Sequence, residues 1–369
     1  MENKALKIGI FISDKYTNPL LHSLQKGLVE LGYDCSLYDK GNRYDYVFLF
    51  NVAGVYNPVH GDWIKYSNLE TIQDKIVFID AAEYGWWTHY DCYASVYCNA
   101  FTKKAIESKS LYYTAFTSEV AKQLENSEQT KLTNFLRGKS FPYFLREKYK
   151  AISYPKQYHP IDYTYTYMTM SQATKVPDKT EYLNRKYDFY LRWGNSHIFR
   201  KEIIDKINSI PGYRIDAIGE RISQSEYFKN LEDSRISAAF DGYGSGSFRE
   251  TEVLSRCTLF QGKQCIDKYH PLTEGVNFVE YEVKNTMGTA VGFGKINLAP
   301  KGAPKYLDCD IDFLLQKYMA NWDLCFQIYA AGYEHCMKYY TPRAVAKYVM
   351  EEVLNHDYSQ PTPVEGFIE

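Results

Sequence analysis

Short apolar runs alternate with helical patterns along most of this chain of 369 residues. Helical spacing of leucines at residues 18–31 separates the first two runs, and a second series of the same kind begins at residues 187–194. The strand-like runs of the first series lie at residues 7–12, 35–38, 46–51 and 75–80. Strands that alternate with helices are typical of a doubly wound parallel sheet. The sequence therefore predicts an α/β fold with two such sheets.

Composition narrows the class of protein. The chain has 45% apolar and 24% charged residues, which is typical of a globular protein, and its net charge of −2 argues against a strongly basic nucleic-acid binder. Apolar runs fall far short of the roughly 18 residues that a membrane span needs, and the N-terminal residues lack a signal-peptide pattern. The eight cysteines form no CxxC pair, so reduced thiols and a cytoplasmic location are expected.

The length suggests roughly two domains. Prolines and a Tyr/Thr alternation interrupt the strand and helix patterns between residues 155 and 186, as expected of a crossover between domains. We predict an N-terminal domain over residues 1–165, a linker over 166–186, a C-terminal domain over 187–340 and a closing helix with a tail over 341–369.

The stretch at residues 247–259 carries the clearest sign of a binding site. It follows a strand-like run and a glycine-rich turn, and a helix that starts at Ser247 would present unpaired N–H groups to a diphosphate. Arg249 and Glu252 are three residues apart and share one face of this helix. Arg249 can then meet phosphate while Glu252 accepts hydrogen bonds from a ribose diol. The alternative is an ordinary amphipathic helix with an exposed Arg–Glu pair.

This Arg249-x-x-Glu252 pattern, followed by small residues and an apolar strand, resembles the nucleotide-binding signature of GT-B glycosyltransferases. It is most similar to the spore-protein-like (family 1/4-type) bacterial and phage enzymes, and it also resembles phage DNA glucosyltransferases. The family usually carries glycine where this chain has Arg256. The resemblance implies two Rossmann-like domains facing a cleft, a nucleotide-sugar donor (a UDP-sugar is favoured), and no required cofactor or metal.

Further donor-binding positions follow from the same resemblance. Gly194, Asn195 and Arg200 match the strand-end glycine and the following arginine that hold the donor phosphates in the family. Ile218 and Gly219 resemble the loop whose backbone reads the nucleobase. For Arg200, the alternative is a solvent-exposed charge on a helix.

Asp80 is the first candidate for the base. It ends the strand-like run 75–80, and ligands of doubly wound sheets gather at the carboxyl ends of strands. An inverting sugar transfer needs a carboxylate that takes the proton of the acceptor hydroxyl. Asp80 also resembles the catalytic aspartate of phage DNA glucosyltransferases in position. Glu83, His60 and His89 are rival bases, and a turn-forming or N-capping role is the alternative for Asp80.

Residues 131–159 combine basic and aromatic side chains. Such a segment can hold a phosphate backbone and stack on bases, although a solvated, partly packed loop has the same composition. The composition therefore fits either a surface that contacts the acceptor or a loop without a ligand.

The sequence as a whole predicts a metal-independent GT-B glycosyltransferase that moves a sugar to a hydroxyl acceptor. A saccharide acceptor, such as an envelope glycan, is slightly favoured over hydroxymethylated pyrimidines in phage DNA. A second hypothesis is a non-catalytic protein of the same fold that binds a nucleotide or sugar, since Arg256 departs from the family pattern.

Overall fold

The computed structural model contains two parallel β-sheets, each covered by helices. The residues that the structure describes are 5–12, 19–51, 56–57, 62–63, 69–81, 134–146, 148, 150, 154–162, 175–193, 198–220, 222–239, 248–264, 266–285 and 307–363. The predicted α/β class with two Rossmann-like, doubly wound domains is confirmed by these sheets.

The first sheet has the strand order β2-β1-β3-β6-β7-β8, and every neighbouring pair is parallel. Helix α1 (Pro19–Glu30) connects its first two strands, and a short antiparallel pair, β4 (Tyr56–Asn57) and β5 (Asp62–Trp63), lies outside it. The strands of the sheet are β1 (Lys7–Ile12), β2 (Asp34–Leu37), β3 (Tyr46–Asn51), β6 (Lys75–Asp80), β7 (Tyr143–Leu145) and β8 (Tyr158–Pro160).

The central strands of this sheet are buried on both faces, which explains their continuous apolar sequence. In β3, Phe48 and Phe50 belong to one core cluster, whereas Val47 and Leu49 belong to the cluster on the opposite side. Alternate side chains of a strand point to opposite faces, so each run fills both clusters.

The second sheet repeats this arrangement, with the order β10-β9-β11-β12-β13 and parallel pairing throughout. Its strands are β9 (Tyr187–Arg192), β10 (Ile215–Ile218), β11 (Ser234–Ala239), β12 (Thr258–Gly262) and β13 (Val279–Tyr281). The remaining elements are α2 (Lys179–Leu183), α3 (Ile198–Asn208), α4 (Gln224–Glu232), α5 (Phe248–Leu254), an antiparallel pair β14 (Val283–Asn285) and β15 (Leu307–Cys309), α6 (Ile311–Met319), α7 (Trp322–Tyr339) and α8 (Pro342–Asn355).

In both sheets the second strand of the chain pairs with one side of the first strand, and the third strand pairs with its other side. The direction of winding therefore changes between β1 and β3 in the first sheet, and between β9 and β11 in the second. Ligands of doubly wound sheets bind at the carboxyl edge beside such a switch point. Residues 194–197 and 240–247, which follow β9 and β11 in the sequence, lie outside the described residues.

The last helix, α8, returns to the first sheet. Its buried residues Val345, Val349 and Val353 share a core cluster with Leu24 and Leu28 of α1. Gly27 lets the two helices approach closely, because a Cβ at this position would overlap the carbonyl oxygen of Pro342 and lie 2.8 Å from the Ala346 Cβ. Helix α8 therefore packs on the domain that contains α1.

Two predictions from the sequence, the domain boundaries and the lack of a membrane span, concern this architecture. Helix α2 lies within the predicted linker, and its Tyr182 is buried in the core of the second sheet. Residues 163–174 lie outside the described residues, so the domain boundaries stay a prediction. Among the described helices, none combines the length and the apolar character that a membrane crossing requires.

The contact between α1 and α8 gives a stability prediction. Gly27→Ala should lower the free energy of unfolding by about 3 kcal/mol, because the helices must separate to admit the methyl group. Chemical denaturation measures this change, and Val29→Ala, at an exposed position of the same helix, is the control. A Gly27→Ala protein as stable as the wild type would contradict the close packing of these two helices.

Candidate functional site

Helix α5 holds the two residues that the sequence singles out. It follows β11 and packs on β11, β12 and α7. Its own residues Val253 and Leu254 are buried in this contact. Arg249 is half-buried, and Glu252 is only 3% exposed. The alternative of an exposed Arg–Glu surface pair is therefore excluded, since the carboxylate is not at the surface.

Arg249 and Glu252 converge on one aromatic residue of the neighbouring helix α4. The hydroxyl of Tyr227 donates a hydrogen bond to Glu252 Oε2 at 3.2 Å, and the Arg249 guanidinium lies 5.5 Å from the centre of the Tyr227 ring. A cation over an aromatic face is attracted to it, so the ring orients Arg249 as well as Glu252. Tyr227 thus contacts both of the side chains that are predicted to bind the donor.

The Glu252 carboxyl group has a pKa raised into the neutral range. Burial raises its pKa to about 7, against the opposite effect of the Arg249 and Arg256 charges and of the Tyr227 hydroxyl. Burial acts in this direction because it disfavours the charged form of an acid. A carboxylate that is costly to ionise without a ligand suits a site where hydroxyl groups arrive to solvate it.

Arg256, which stands where the resemblance noted in the sequence predicts glycine, is buried between α4 and α5. Its guanidinium stands 4.4 Å from the centre of the Phe228 ring, and its Nε lies 3.4 Å from Glu232 Oε1. Its Nη1 also donates to the carbonyl oxygen of Glu252 at 3.3 Å. Arg256 therefore connects the C-terminal end of α5 to α4 through contacts within the protein.

The other predicted donor-binding residues that the structure describes lie near the carboxyl edge of the second sheet. The Arg200 guanidinium, in the first turn of α3, stands 5.7 Å from the centre of the Trp193 ring, just beyond β9. Ile218 ends β10 with its side chain 41% exposed, and Gly219 follows it. Gly194, Asn195 and Ser247 lie outside the described residues.

Asp80 ends β6 as the sequence predicts, but its side chain is completely buried. The Tyr143 hydroxyl donates a hydrogen bond to Asp80 Oδ2 at 3.3 Å, and the Asp80 carbonyl accepts from the Arg146 N–H at 3.0 Å. A base must meet the hydroxyl that it deprotonates, and this carboxylate lies below the surface. Glu83, His60 and His89 lie outside the described residues, so the base stays a prediction.

Several aromatic residues of the segment 131–159 form core instead of surface. Phe141, Tyr143, Phe144 and Tyr158 are at most 3% exposed, and the rings of Tyr143 and Tyr158 stack with their centres 4.2 Å apart. Arg146 is buried as well. These side chains form β7, β8 and the layer around them, so their rings cannot stack on the bases of a nucleic acid.

A group that the sequence did not reveal lies between the two domains. We call Asp162, Glu250, Gln264 and Lys268 the interdomain polar cluster. Lys268 Nζ pairs with both carboxylate oxygens of Glu250, the longer contact being 2.6 Å to Oε2, and lies 3.7 Å from Asp162 Oδ1. Gln264 Nε2 donates to Glu250 Oε2 at 3.2 Å. The cluster therefore connects the residue after Arg249 with the end of the first sheet.

Burial dominates the electrostatics of this cluster. It raises the pKa of Asp162 to about 6, while Lys268 acts in the opposite direction and Glu250 adds to the increase. The segment around Lys268 makes further contacts with the first domain. Asp267 pairs with Lys148 at 3.2 Å, and the Tyr269 ring stacks on that of Tyr348 with centres 4.6 Å apart. No sequence spacing relates these residues, so only the fold brings them together.

The described residues contain no group of three or more histidine, cysteine or acidic side chains arranged to hold a metal ion.

No model of a known protein family matches the sequence, and no curated protein matches it significantly. Several solved structures are similar in fold. HepE of Anabaena, solved in complex with UDP-glucose, is 9% identical, with a TM-score of 0.42 over 94% of this chain and 98% of that one.

Two other solved structures are similar over nearly their whole length. A glycosyltransferase of Rickettsia africae is 10% identical, with a TM-score of 0.42 over 96% of this chain and 100% of that one. The trehalose-6-phosphate synthase OtsA is 8% identical, with a TM-score of 0.45 over 95% of this chain and 99% of that one. The doubly wound architecture is established by the strand order of the two sheets, independently of these likenesses.

The raised pKa of Glu252 gives a prediction for stability against pH. Between its ordinary value of 4.5 and about 7, the folded protein holds a proton that the unfolded chain has released. The free energy of unfolding therefore falls as the pH rises through this window. Glu252→Gln cannot ionise, so relative to the wild type it should gain on the order of 3 kcal/mol between pH 5 and pH 8.

Chemical denaturation at several pH values measures this difference. Glu351→Gln, on the exposed side of α8, is the matched control, and its difference from the wild type is subtracted. A difference between Glu252→Gln and the wild type that stays constant from pH 5 to pH 8 would show that Glu252 is not buried as described.

Proposed function

We propose that this protein is a GT-B glycosyltransferase that transfers a sugar from a nucleotide-sugar donor to a hydroxyl acceptor. The observation that carries the proposal is the convergence of Arg249 and Glu252 on Tyr227. They lie on α5, the helix that follows β11 beside the switch point of the second sheet, where ligands of such sheets bind.

The roles of the two residues follow from their chemistry. Arg249 pairs with the diphosphate and neutralises the charge that develops as the nucleotide leaves. Glu252 accepts hydrogen bonds from the two ribose hydroxyls, which favour its ionised form. Arg200, Gly194, Asn195 and Ser247 complete the phosphate contacts, and Ile218 with Gly219 contacts the nucleobase. We propose UDP as the nucleotide and a transfer that needs no metal ion.

The acceptor is proposed to be a saccharide hydroxyl. The buried rings of the segment 131–159 make the alternative of a hydroxymethylated pyrimidine in DNA weaker, because base stacking needs accessible aromatic faces. Asp80 remains the proposed base of an inverting transfer, with Glu83 as its rival. In this role Asp80 must become accessible from beneath Tyr143 when the acceptor binds.

The second hypothesis, a non-catalytic binding protein of this fold, rests on Arg256. Since Arg256 contacts Phe228, Glu232 and the Glu252 carbonyl, the change from glycine is accommodated within the protein. It gives no reason to propose a loss of transfer activity. Hydrolysis or transfer of a donor by the purified protein distinguishes the two hypotheses.

A nucleotide screen tests the proposal. Isothermal titration calorimetry should detect binding of UDP or a UDP-sugar, with GDP and ADP compounds as comparisons. Glu252→Gln and Arg249→Met should each weaken this binding about tenfold or more, because each removes a charge-assisted hydrogen bond to the ligand.

Arg343→Met is the control, since Arg343 is exposed on α8 and bonds only to the Glu30 carbonyl among the described residues. It should bind the nucleotide as the wild type does. A wild-type protein that binds none of these nucleotides or nucleotide sugars would refute the proposed function, and a Glu252→Gln protein with unchanged affinity would refute the role of Glu252.

A further inference from the structure

Two buried side chains, one in the interdomain polar cluster and one close to it in the sequence, carry polar atoms that have no hydrogen-bond partner among the described residues. Both atoms of the Gln261 carboxamide, Oε1 and Nε2, lack a partner, and the side chain is 2% exposed. Asp162 Oδ2 also lacks one, and Asp162 is 7% exposed. Proteins satisfy most buried polar groups, so those that stay unsatisfied call for an explanation.

Gln261 lies at the carboxyl edge of the second sheet. It is the next-to-last residue of β12 and stands in register with Ala239, the last residue of β11. Leu259 packs with Val253 and Leu254 of α5, whereas Phe260 packs in the cluster on the opposite face. Since side chains of a strand alternate, Gln261 lies on the same face as Leu259 and α5.

Asp162 approaches the same helix from the first domain. It stands two residues beyond β8, and Lys268 links it to Glu250, the third residue of α5. Gln264, three residues after Gln261, bonds to the same Glu250 carboxylate. Gln261 and Asp162 therefore both lie near the first turn of α5.

The charges around these groups restrict what can bind there. The Lys268 ammonium is unfavourable for a second cation, and the Asp162 and Glu250 carboxylates are unfavourable for an anion. A neutral ligand that both donates and accepts hydrogen bonds meets neither obstacle. Hydroxyl groups do this, because each can donate to the carboxylate oxygen or the amide oxygen and accept from the amide N–H.

We propose that Gln261 and Asp162 Oδ2 bind the hydroxyl groups of the sugar that the nucleotide donor carries. The inference rests on the proposed function, which places the diphosphate and ribose on the same helix at Arg249 and Glu252. The glycosyl group then lies beyond the first turn of α5, between the two domains. The raised pKa of Asp162, about 6, agrees with a carboxylate that lacks solvation in the absence of a ligand.

Gln261→Leu tests this inference, because leucine keeps most of the volume and removes both polar atoms. Two ligand pairs serve as probes: UDP with UDP-glucose, and GDP with GDP-mannose. Loss of a hydrogen bond to the sugar should weaken the binding of the nucleotide sugar about tenfold. The affinity for the nucleotide alone should stay within about twofold of the wild type.

The same variant separates a binding role from a structural one. An unsatisfied carboxamide destabilises the empty protein, so Gln261→Leu should raise the Tm of the ligand-free protein by about 2 °C or more. A glutamine that supported the fold would give the opposite shift. Gln316→Leu, at an exposed position of α6, is the matched control and should leave both affinities unchanged.

Asp162→Asn is the second variant, since it keeps the shape of the side chain and removes its charge. Asp162→Asn should also lower the affinity for the nucleotide sugar, because a hydrogen bond to a charged acceptor is stronger than one to an amide. The affinity for the nucleotide alone should stay unchanged. Equal affinities of the wild type and both variants for the nucleotide sugar would overturn the inference and leave the proposed function intact. A wild-type protein that binds neither ligand pair would overturn both.

Discussion

One ammonium group, that of Lys268, lies between carboxylates from the two domains and joins α5 to the first domain. Such a buried group adds little net stability, because desolvation offsets its attraction to its partners. Removing the Glu250 carboxylate is different, since the Lys268 ammonium then loses its nearest partner, and breaking a buried pair costs about 3–5 kcal/mol. The contact therefore selects one arrangement of the domains over others. Because Glu250 follows Arg249 directly and precedes Glu252 by two residues, that selection also fixes the two side chains proposed to hold the donor.

The fold could be predicted because its signals are local. Continuous apolar runs separated by helical spacing follow from strands buried on both faces, and β3 and β6 are buried in this way. The helix at Arg249 and Glu252 could be predicted for the same reason, since one turn of helix relates the two residues. The interdomain polar cluster could not be predicted, because Asp162, Glu250 and Lys268 are brought together by two sheets and a domain contact. No spacing within the sequence encodes such a contact.

The basic-aromatic segment shows the limit of arguments from composition. A tyrosine that stacks on a base and a tyrosine that stacks on Tyr158 within the core are the same residue in a sequence. Asp80 is a comparable case. Its position at the end of β6 could be predicted from the apolar run before it, whereas its cover by Tyr143 depends on a strand 63 residues further along the chain. Residues placed by their own strand are thus predictable, and the accessibility of their side chains is not.

Burial also connects the two acidic groups of the proposed site to ligand binding. A diol donates two hydrogen bonds to an ionised carboxylate, but a protonated acid retains less accepting capacity. At neutral pH burial leaves Glu252 as a mixture of both forms, since its pKa is raised to about 7. Ribose hydroxyls favour the ionised form, so the proposed nucleotide would lower the pKa of Glu252 on binding and release part of a proton. Burial raises the pKa of Asp162 to about 6, and the hydroxyls of the proposed sugar would lower it in the same way. The protein's own side chains offset the desolvation of both carboxylates only in part, and the hydroxyl groups of the proposed donor would offset more of it.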